Sequence, residues 1–371
     1  MYAALSTEGE IIYANDQAAV AQETNFYCPT CQQLLTHKMS STGKGYFSHL
    51  TSCQSNQQKR QTQESQTHHT AKILLQNTLT SSGYTVEIEY PFKTIQQIAD
   101  VYAYHPQSQS TQQVIEFQKV PISSDLIRSR TQNYLQVVDK CTWFIDEAIF
   151  KTGYRQVWLQ TMVTYSEKLG FHWYALNVHT REWLIKFKMP VIYRPHHIQL
   201  AEKRFDLDKA VENTWEQPEK YLNTSVYYPI YRRSRRQSTY FRDLKQIMAQ
   251  AHYQTAIRDL YSKGILLQTL PSWMVTEGWQ IFVCKSPGWQ CMAWFYYLIQ
   301  SFDDASFTKS ELEKGLRELL DAGYIILADM ALVSHDIVGL LVDSLIKFFK
   351  EKSLIENAGC NRWRIQTKVH R

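Results

Sequence analysis

The chain has 371 residues, 44% of them hydrophobic, and a formal net charge of +5, so it is long enough for two or three domains with cores of their own, and its charge permits nucleic-acid binding without demanding it. No apolar run approaches the ~20 residues of a membrane span and no charged-then-apolar leader opens the sequence, which sets membrane insertion and export aside and leaves a globular protein of the cytoplasm. Seven cysteines in such a chain are thiols or metal ligands sooner than a disulfide framework.

MYAALS and IIYA predict two short strands joined around Gly9. Cys28 and Cys31 then form a C-P-x-C knuckle, and His49 and Cys53 follow as a second pair. The spacing suits a structural zinc site whose four ligands close the coordination shell, so the ion would hold a small module together without catalysing. The plainer alternative is a set of small buried cysteines, and His37 is a substitute ligand. The polar, glutamine-rich stretch from Gln54 to Gln66 reads as a linker.

The next segment predicts a helix. Glu64, His68 and Lys72 fall at i, i+4 and i+8, beside an apolar face of Ala71, Leu74, Leu75 and Leu79. YTVEIEYPF predicts a strand, and Ile98 to Lys119 a hairpin: IADVYAY and QQVIEFQ are rich in β-branched and aromatic residues, and HPQSQSTQ between them supplies turn formers. Asp100 and Glu116 come to facing ends of the two strands when the hairpin closes. Alternation puts Glu116 and Gln118 on one face and Phe117 and Lys119 on the other, so Gln118 joins the carboxylates and Lys119 does not. Paired carboxylates are hard oxygen ligands of the kind Mg²⁺ prefers, which points to phosphodiester hydrolysis. Taken alone, the two residues also fit a turn-starting Asp100 and a solvated Glu116.

SSDLIRSRTQNYLQVV predicts a helix capped by Ser123 or Ser124, with Arg130 and Tyr134 one turn apart as a packing pair or a phosphate contact. CTWFID follows as a strand containing a buried, inert Cys141, which completes an α-β-β-β-α-β pattern for a mixed sheet flanked by helices. VWLQTMV and FHWYALNV read as further strands. Met189 to Tyr231, with prolines at 190, 195, 217 and 229, reads as a connector. It leads to Arg232, Arg233, Arg235 and Arg236, a solvated run or a track for a phosphate backbone. From Phe241 onward the chain is mainly helical. AIRDLYSKGILL and the stretch from Phe307 to Leu327 both run helix, glycine, strand, units that look winged-helix-like, although a plain helical bundle is the preferred reading.

ESQTHHTAK from Glu64 to Lys72, IAD ending at Asp100, IEFQ ending at Gln118 and R-x-x-x-Y from Arg130 to Tyr134, in that order, resemble the CoiA-like competence protein family. That family's core is similar to the PD-(D/E)xK nucleases. The resemblance implies that Asp100 and Glu116 hold Mg²⁺ or Mn²⁺ and that Glu64 supports the ion, and it lifts His68 above its neighbour His69; Arg130 and Tyr134 are the candidate substrate-binding residues. It also implies that Gln118 occupies the place of the usual catalytic lysine. A glutamine carries no charge, so Lys72 would have to compensate. The expected architecture is an α/β (α+β) restriction-endonuclease-like core over residues 57–188, a small zinc-ribbon-like module over 1–56, and a connector and mainly helical domain over 189–371. The expected function is metal-dependent cleavage of DNA or recombination intermediates during natural transformation, with DNA, single-stranded or branched, and recombination proteins as partners. The alternative is a catalytically weak or inactive DNA-binding scaffold of the same machinery.

Overall fold

A computed structural model describes residues 3–14, 17–28, 33–39, 45–49, 66–106, 112–152, 157–194, 199–208, 226–229, 240–276, 278–302, 305–359 and 361–366. The chain divides into two compact units. Met1–Gly153, Trp173–Ile185 and Lys203–Thr224 form the first, and Tyr154–His172, Lys186–Glu202 and Ser225–Arg371 the second.

The first unit begins with a small module: β1 (Ala3–Leu5), β2 (Ile11–Tyr13), the short helix α1 (Gln17–Gln22), β3 (Phe26–Tyr27), β4 (Leu34–Met39) and β5 (Gly45–His49), in a sheet ordered β2-β1-β3-β4-β5. β1 and β2 pair antiparallel across a turn in which Gly9 takes a left-handed φ of 83°. Ala4, Ile12, Phe26, Cys28, Leu35 and Phe47 form its core. The Cys28 amide donates to Gln33 O at 2.8 Å. Leu35 stands opposite both Phe26 and His49, which carries His49 across the sheet from the cysteine strand. Cys31 and Cys53 lie outside the described residues. His37, the substitute ligand, is engaged elsewhere: its Nε2 is 2.8 Å from Ala14 O and its ring meets Phe47 edge-on.

The larger part of the unit follows the α-β-β-β-α-β order: α2 (Gln66–Ser81), β6 (Thr85–Phe92), β7 (Gln97–Tyr104), β8 (Gln113–Gln118), α3 (Ser124–Tyr134) and β9 (Lys140–Asp146). α2 buries Ala71, Leu74, Leu75, Thr78 and Leu79 at helical spacing and packs on β6, β7 and β8. Ser123 caps α3, its side chain accepting from the Leu126 amide. β6, β7 and β8 pair antiparallel, and β8 and β9 parallel, so the sheet is mixed.

Beyond β9 come α4 (Val157–Thr161), β10 (Thr164–Ser166), β11 (Gly170–Asn177), β12 (Glu182–Met189), β13 (Ile192–Tyr193), β14 (Gln199–Asp206) and β15 (Val226–Pro229). The parts of β11, β12 and β14 in the first unit extend its sheet in the order β14-β12-β11-β9-β8-β7-β6. Two expectations are corrected here. VWLQTMV opens as the helix α4, because Trp158, Leu159, Met162 and Val163 are buried together, a helical spacing that outweighs β-branched composition. The stretch read as a connector contains β13, β14 and β15, with Leu200 and Ala201 buried although no strict alternation announces them. The four arginines of the run at 232–236 lie outside the described residues.

The second unit continues with α5 (Tyr240–Ala249), α6 (Gln254–Ser262), α7 (Ser272–Thr276), β16 (Gln280–Ile281), α8 (Gly288–Gln300), β17 (Ser306–Thr308), α9 (Lys309–Asp321), α10 (Ile337–Glu351), β18 (Ile355–Gly359) and β19 (Arg362–Ile365). The plain bundle expected from the sequence gives way to helices joined to an antiparallel sheet ordered β17-β19-β18, closer to the winged-helix arrangement. The sheet was hidden because β17 is three residues long and its partners lie at the far end of the chain. YIIL makes only an isolated bridge from Leu327 to Cys284. Asp336, the N-cap of α10, pairs with Arg317 at 2.8 Å, and Asp343 within the helix pairs with Lys309 at 2.5 Å.

Gly45 supplies a test of the module. A Cβ there would stand 2.1 Å from Ala14 O and 2.6 Å from His37 Nε2. Gly45→Ala is expected to cost the module about 1–3 kcal/mol, read as faster amide exchange in β4 and β5 with the amides of α2 and β8 unchanged.

Candidate active site

The registers of three neighbouring strands place three acids in one row. β6 pairs Ile88 with Val101 and Tyr90 with Ala99, so Glu89 faces Asp100. β7 pairs Val101 with Ile115, so the next position brings Asp100 to Glu116. The ladder is interrupted along this row. Glu89 takes a left-handed φ of 54°, rare for a residue with a Cβ, and the pairing of β7 with β8 stops at Val101. The Phe117 amide, past the end of that pairing, donates to Asp100 Oδ2 at 2.9 Å. A carboxylate replaces a backbone acceptor, and the strands part there.

Each acid meets one base from a helix. Lys72 of α2 donates to Glu89 Oε1 at 2.6 Å, His68 Nε2 of the same helix lies 2.9 Å from Asp100 Oδ2, and Arg130 of α3 donates to Glu116 Oε1 at 2.6 Å. Tyr134 donates to the same Glu116 oxygen at 2.6 Å, and both Arg130 and Tyr134 reach Ile98 O. Lys72 and Glu116 are nearly sealed from solvent, with side chains 3% and 5% exposed. Buried charges of this kind persist only when paired and hydrogen-bonded.

The environments push the two central carboxyls apart. Burial alone would raise the Asp100 pKa, but the His68 contact, the Lys72 charge and the Phe117 amide outweigh it and bring it from 3.8 to about 2. At Glu116 burial wins over Arg130, and the neighbouring Asp100 adds to it, so the carboxyl is raised. Asp100 is thus the stronger acid and Glu116 the weaker, the division of character that acid-base sites use. Burial, then the Glu116 charge, raises the Tyr134 phenol, which stays a neutral donor. Burial works against the Arg130 charge, but Glu116 more than offsets it and keeps the guanidinium protonated. Burial likewise pushes up the Cys141 thiol and leaves it unreactive.

The structure therefore brings together Asp100, Glu116, His68, Lys72, Arg130 and Tyr134. Gln118 is turned aside, its amide donating to Val120 O at 2.6 Å, because β8 ends there and the following carbonyl needs a donor. Lys119 donates to Thr67 at the start of α2, away from the row. Glu64 lies outside the described residues. Arg130 and Tyr134, expected on substrate, are committed to Glu116 and the Ile98 carbonyl. Glu89 was not anticipated. Its signal is a glutamate inside an otherwise strand-like run, but the left-handed turn that aims it at Lys72 leaves no mark in a sequence without glycine or asparagine there.

Residues 64–220 match the family model described as competence protein CoiA, nuclease-like domain. This stretch of the chain is similar to a CoiA nuclease-like domain. That domain takes in every element from α2 to β14 and so contains the whole acidic row. No curated protein gives a significant match. Among the described residues no helix is long and apolar enough to cross a membrane.

Asp100 gives the CoiA-like domain a pH signature. Its folded pKa lies below the ordinary 3.8, so its stabilisation is present above about pH 4 and is lost as pH falls towards 2. Asp100→Asn is expected to cost about 2 kcal/mol at pH 7 in denaturant unfolding, and the gap to the unaltered protein should close between pH ~4 and ~2. A gap that stays constant across that range would show that the carboxylate is not held ionised by its neighbours.

Proposed function

We propose that the CoiA-like domain is a divalent-cation-dependent DNA nuclease, with Asp100 and Glu116 as the protein ligands of Mg²⁺ or Mn²⁺. The observation that carries this is how the two carboxylates are held. His68 and the Phe117 amide both bond Oδ2 of Asp100, and Arg130 and Tyr134 both bond Oε1 of Glu116, so these contacts use one oxygen of each. The second oxygens, Oδ1 and Oε2, fit a hard cation at the gap where β7 and β8 part. Mg²⁺ is commonly bound through one or two carboxylates, with waters and substrate phosphates completing its shell. Such an ion supplies an activated water and neutralises charge on the phosphodiester.

The protein's own groups prepare that chemistry. His68 and the Phe117 amide fix the Asp100 carboxylate, and Arg130 and Tyr134 fix that of Glu116, so neither must reorganise when a ligand arrives. Lys72 places a positive charge near Asp100, on the side of the row opposite Arg130. It supplies charge that a glutamine at 118 cannot.

In this reading the chain acts in the cytoplasm on DNA handled during natural transformation, single-stranded or branched, alongside recombination proteins. The first module holds a structural zinc through Cys28, Cys31, His49 and Cys53. A second reading is favoured by the tight capture of Glu116 by Arg130 and by the absence of a lysine at 118: a DNA-binding scaffold of the same machinery whose site binds metal weakly and does not cleave.

Cleavage of single-stranded, duplex and branched DNA with Mg²⁺ or Mn²⁺ separates the two. Asp100→Ala and Glu116→Ala should each lower the rate by about 10³-fold or more while DNA affinity changes little, since phosphate contacts elsewhere set binding. Undiminished hydrolysis in the double variant would place the chemistry elsewhere. Metal analysis of freshly reduced protein should find one zinc per chain, lost with Cys28→Ser together with order in the first module.

A further inference from the structure

Glu89 stands in the same row as Asp100 and Glu116 but serves neither directly. Three observations give it a role. Its backbone is left-handed at φ 54°, which is strained for a residue with a Cβ and persists only where the surroundings impose it. Its carboxylate holds the Lys72 ammonium at 2.6 Å, and that side chain is only 3% exposed. The strand that carries it is fastened from outside the sheet. Tyr13, at the end of β2, donates its hydroxyl to the carbonyl of Ile88, the residue before the kink, at 3.0 Å, and Lys93 just past β6 donates back to Gly9 O at 3.2 Å.

A fold selected for stability alone has no use for this arrangement. Replacing a buried ion pair with apolar residues of similar size is often neutral or stabilising, and the left-handed backbone adds a further cost. What the pair does achieve is a fixed positive charge next to Asp100, whose carboxyl feels Lys72. The electrostatic reach of the group extends to the module: the Tyr13 phenol is raised first by burial and then by Glu89, with Lys72 opposing.

We propose that Glu89 is a positioning residue of the candidate site, holding the Lys72 ammonium beside Asp100, and that Tyr13 of the N-terminal module pins the kinked strand that presents it. What Lys72 does there rests on the nuclease reading; how it is held rests on the geometry alone. The N-terminal module is accordingly part of the site's construction and not a separate appendage.

The test uses the full chain with Glu89→Gln, Glu89→Asp and Tyr13→Phe. Acylation of the Lys72 amine by an activated ester, quantified by mass spectrometry, reads the first half without reference to catalysis. An ammonium deprived of its carboxylate in a buried place becomes a neutral, reactive amine, so Glu89→Gln should raise labelling about tenfold. Glu89→Asp, which keeps the charge, should stay within about twofold, and Tyr13→Phe should fall between. Lys186, buried against Glu202, is the control. Equal labelling of Lys72 in the unaltered chain and Glu89→Gln, or a rise at Lys186 in step with Lys72, would overturn the positioning role. Equal labelling in Tyr13→Phe would overturn the part given to the module. The second readout is cleavage: Glu89→Gln should lower kcat by about 10²-fold with KM within about twofold, and Glu89→Asp should restore most of it. An active chain whose kcat is unmoved by Glu89→Gln overturns the role in chemistry. A chain that shows the labelling pattern and cleaves no DNA supports the way Lys72 is held and removes the nuclease reading instead.

Discussion

Three carboxylates side by side across one sheet repel each other and resist burial, and the fold of the first unit is the solution to that problem. Glu89, Asp100 and Glu116 occupy one row of β6, β7 and β8, and each is met by one basic side chain: Lys72, His68 and Arg130. Two of the bases come from α2 and one from α3, so the two helices are positioned by charge as well as by their apolar faces. Leu74, Leu75 and Leu79 would let α2 slide along the sheet at modest cost. The Lys72 and His68 pairs, one turn apart, would not, because a shift of one residue would leave buried charges unmatched.

The same constraint explains why the strands separate at the row. Asp100 takes the Phe117 amide with its side chain, and Ile98, freed from a regular ladder, offers its carbonyl to Arg130 and Tyr134. Backbone groups that would otherwise be orphaned are satisfied by the side chains of the site. The gap between β7 and β8 is therefore built into the hydrogen bonding, and it lies where the two carboxylates have unshared oxygens.

The parts of this site that follow from side-chain period were legible in the sequence. His68 and Lys72 share a helix face, Arg130 and Tyr134 are a turn apart, and the alternation of QQVIEFQ with IADVYAY brings Asp100 to Glu116. The parts that depend on backbone departures were not. Glu89 in a regular strand would be a peripheral glutamate, and only a left-handed φ turns it onto Lys72. Gln118 shares parity with Glu116, yet the end of β8 gives its amide a nearer acceptor in Val120 O. At the scale of the fold, local order was legible and long-range closure was not. α2 to β9 follow the expected succession, whereas β17 finds its partners more than fifty residues away and β13 to β15 lie in a stretch whose prolines suggested no element at all. The two units also interleave along the chain, which no linear division into domains could express.

The N-terminal module shows what such closure can accomplish. Among the described residues its core is seven buried residues around Phe26 and Phe47. Two hydrogen bonds, from Tyr13 to Ile88 O and from Lys93 to Gly9 O, tie its first hairpin to the edge strand β6 at the point where that strand kinks. An edge strand lacks a neighbour to enforce an unusual backbone from one side, so a left-handed residue there needs an external hold. The docked hairpin supplies it. Anything that orders the module, a bound metal included, contributes stability to the hairpin and through it to the placement of Glu89.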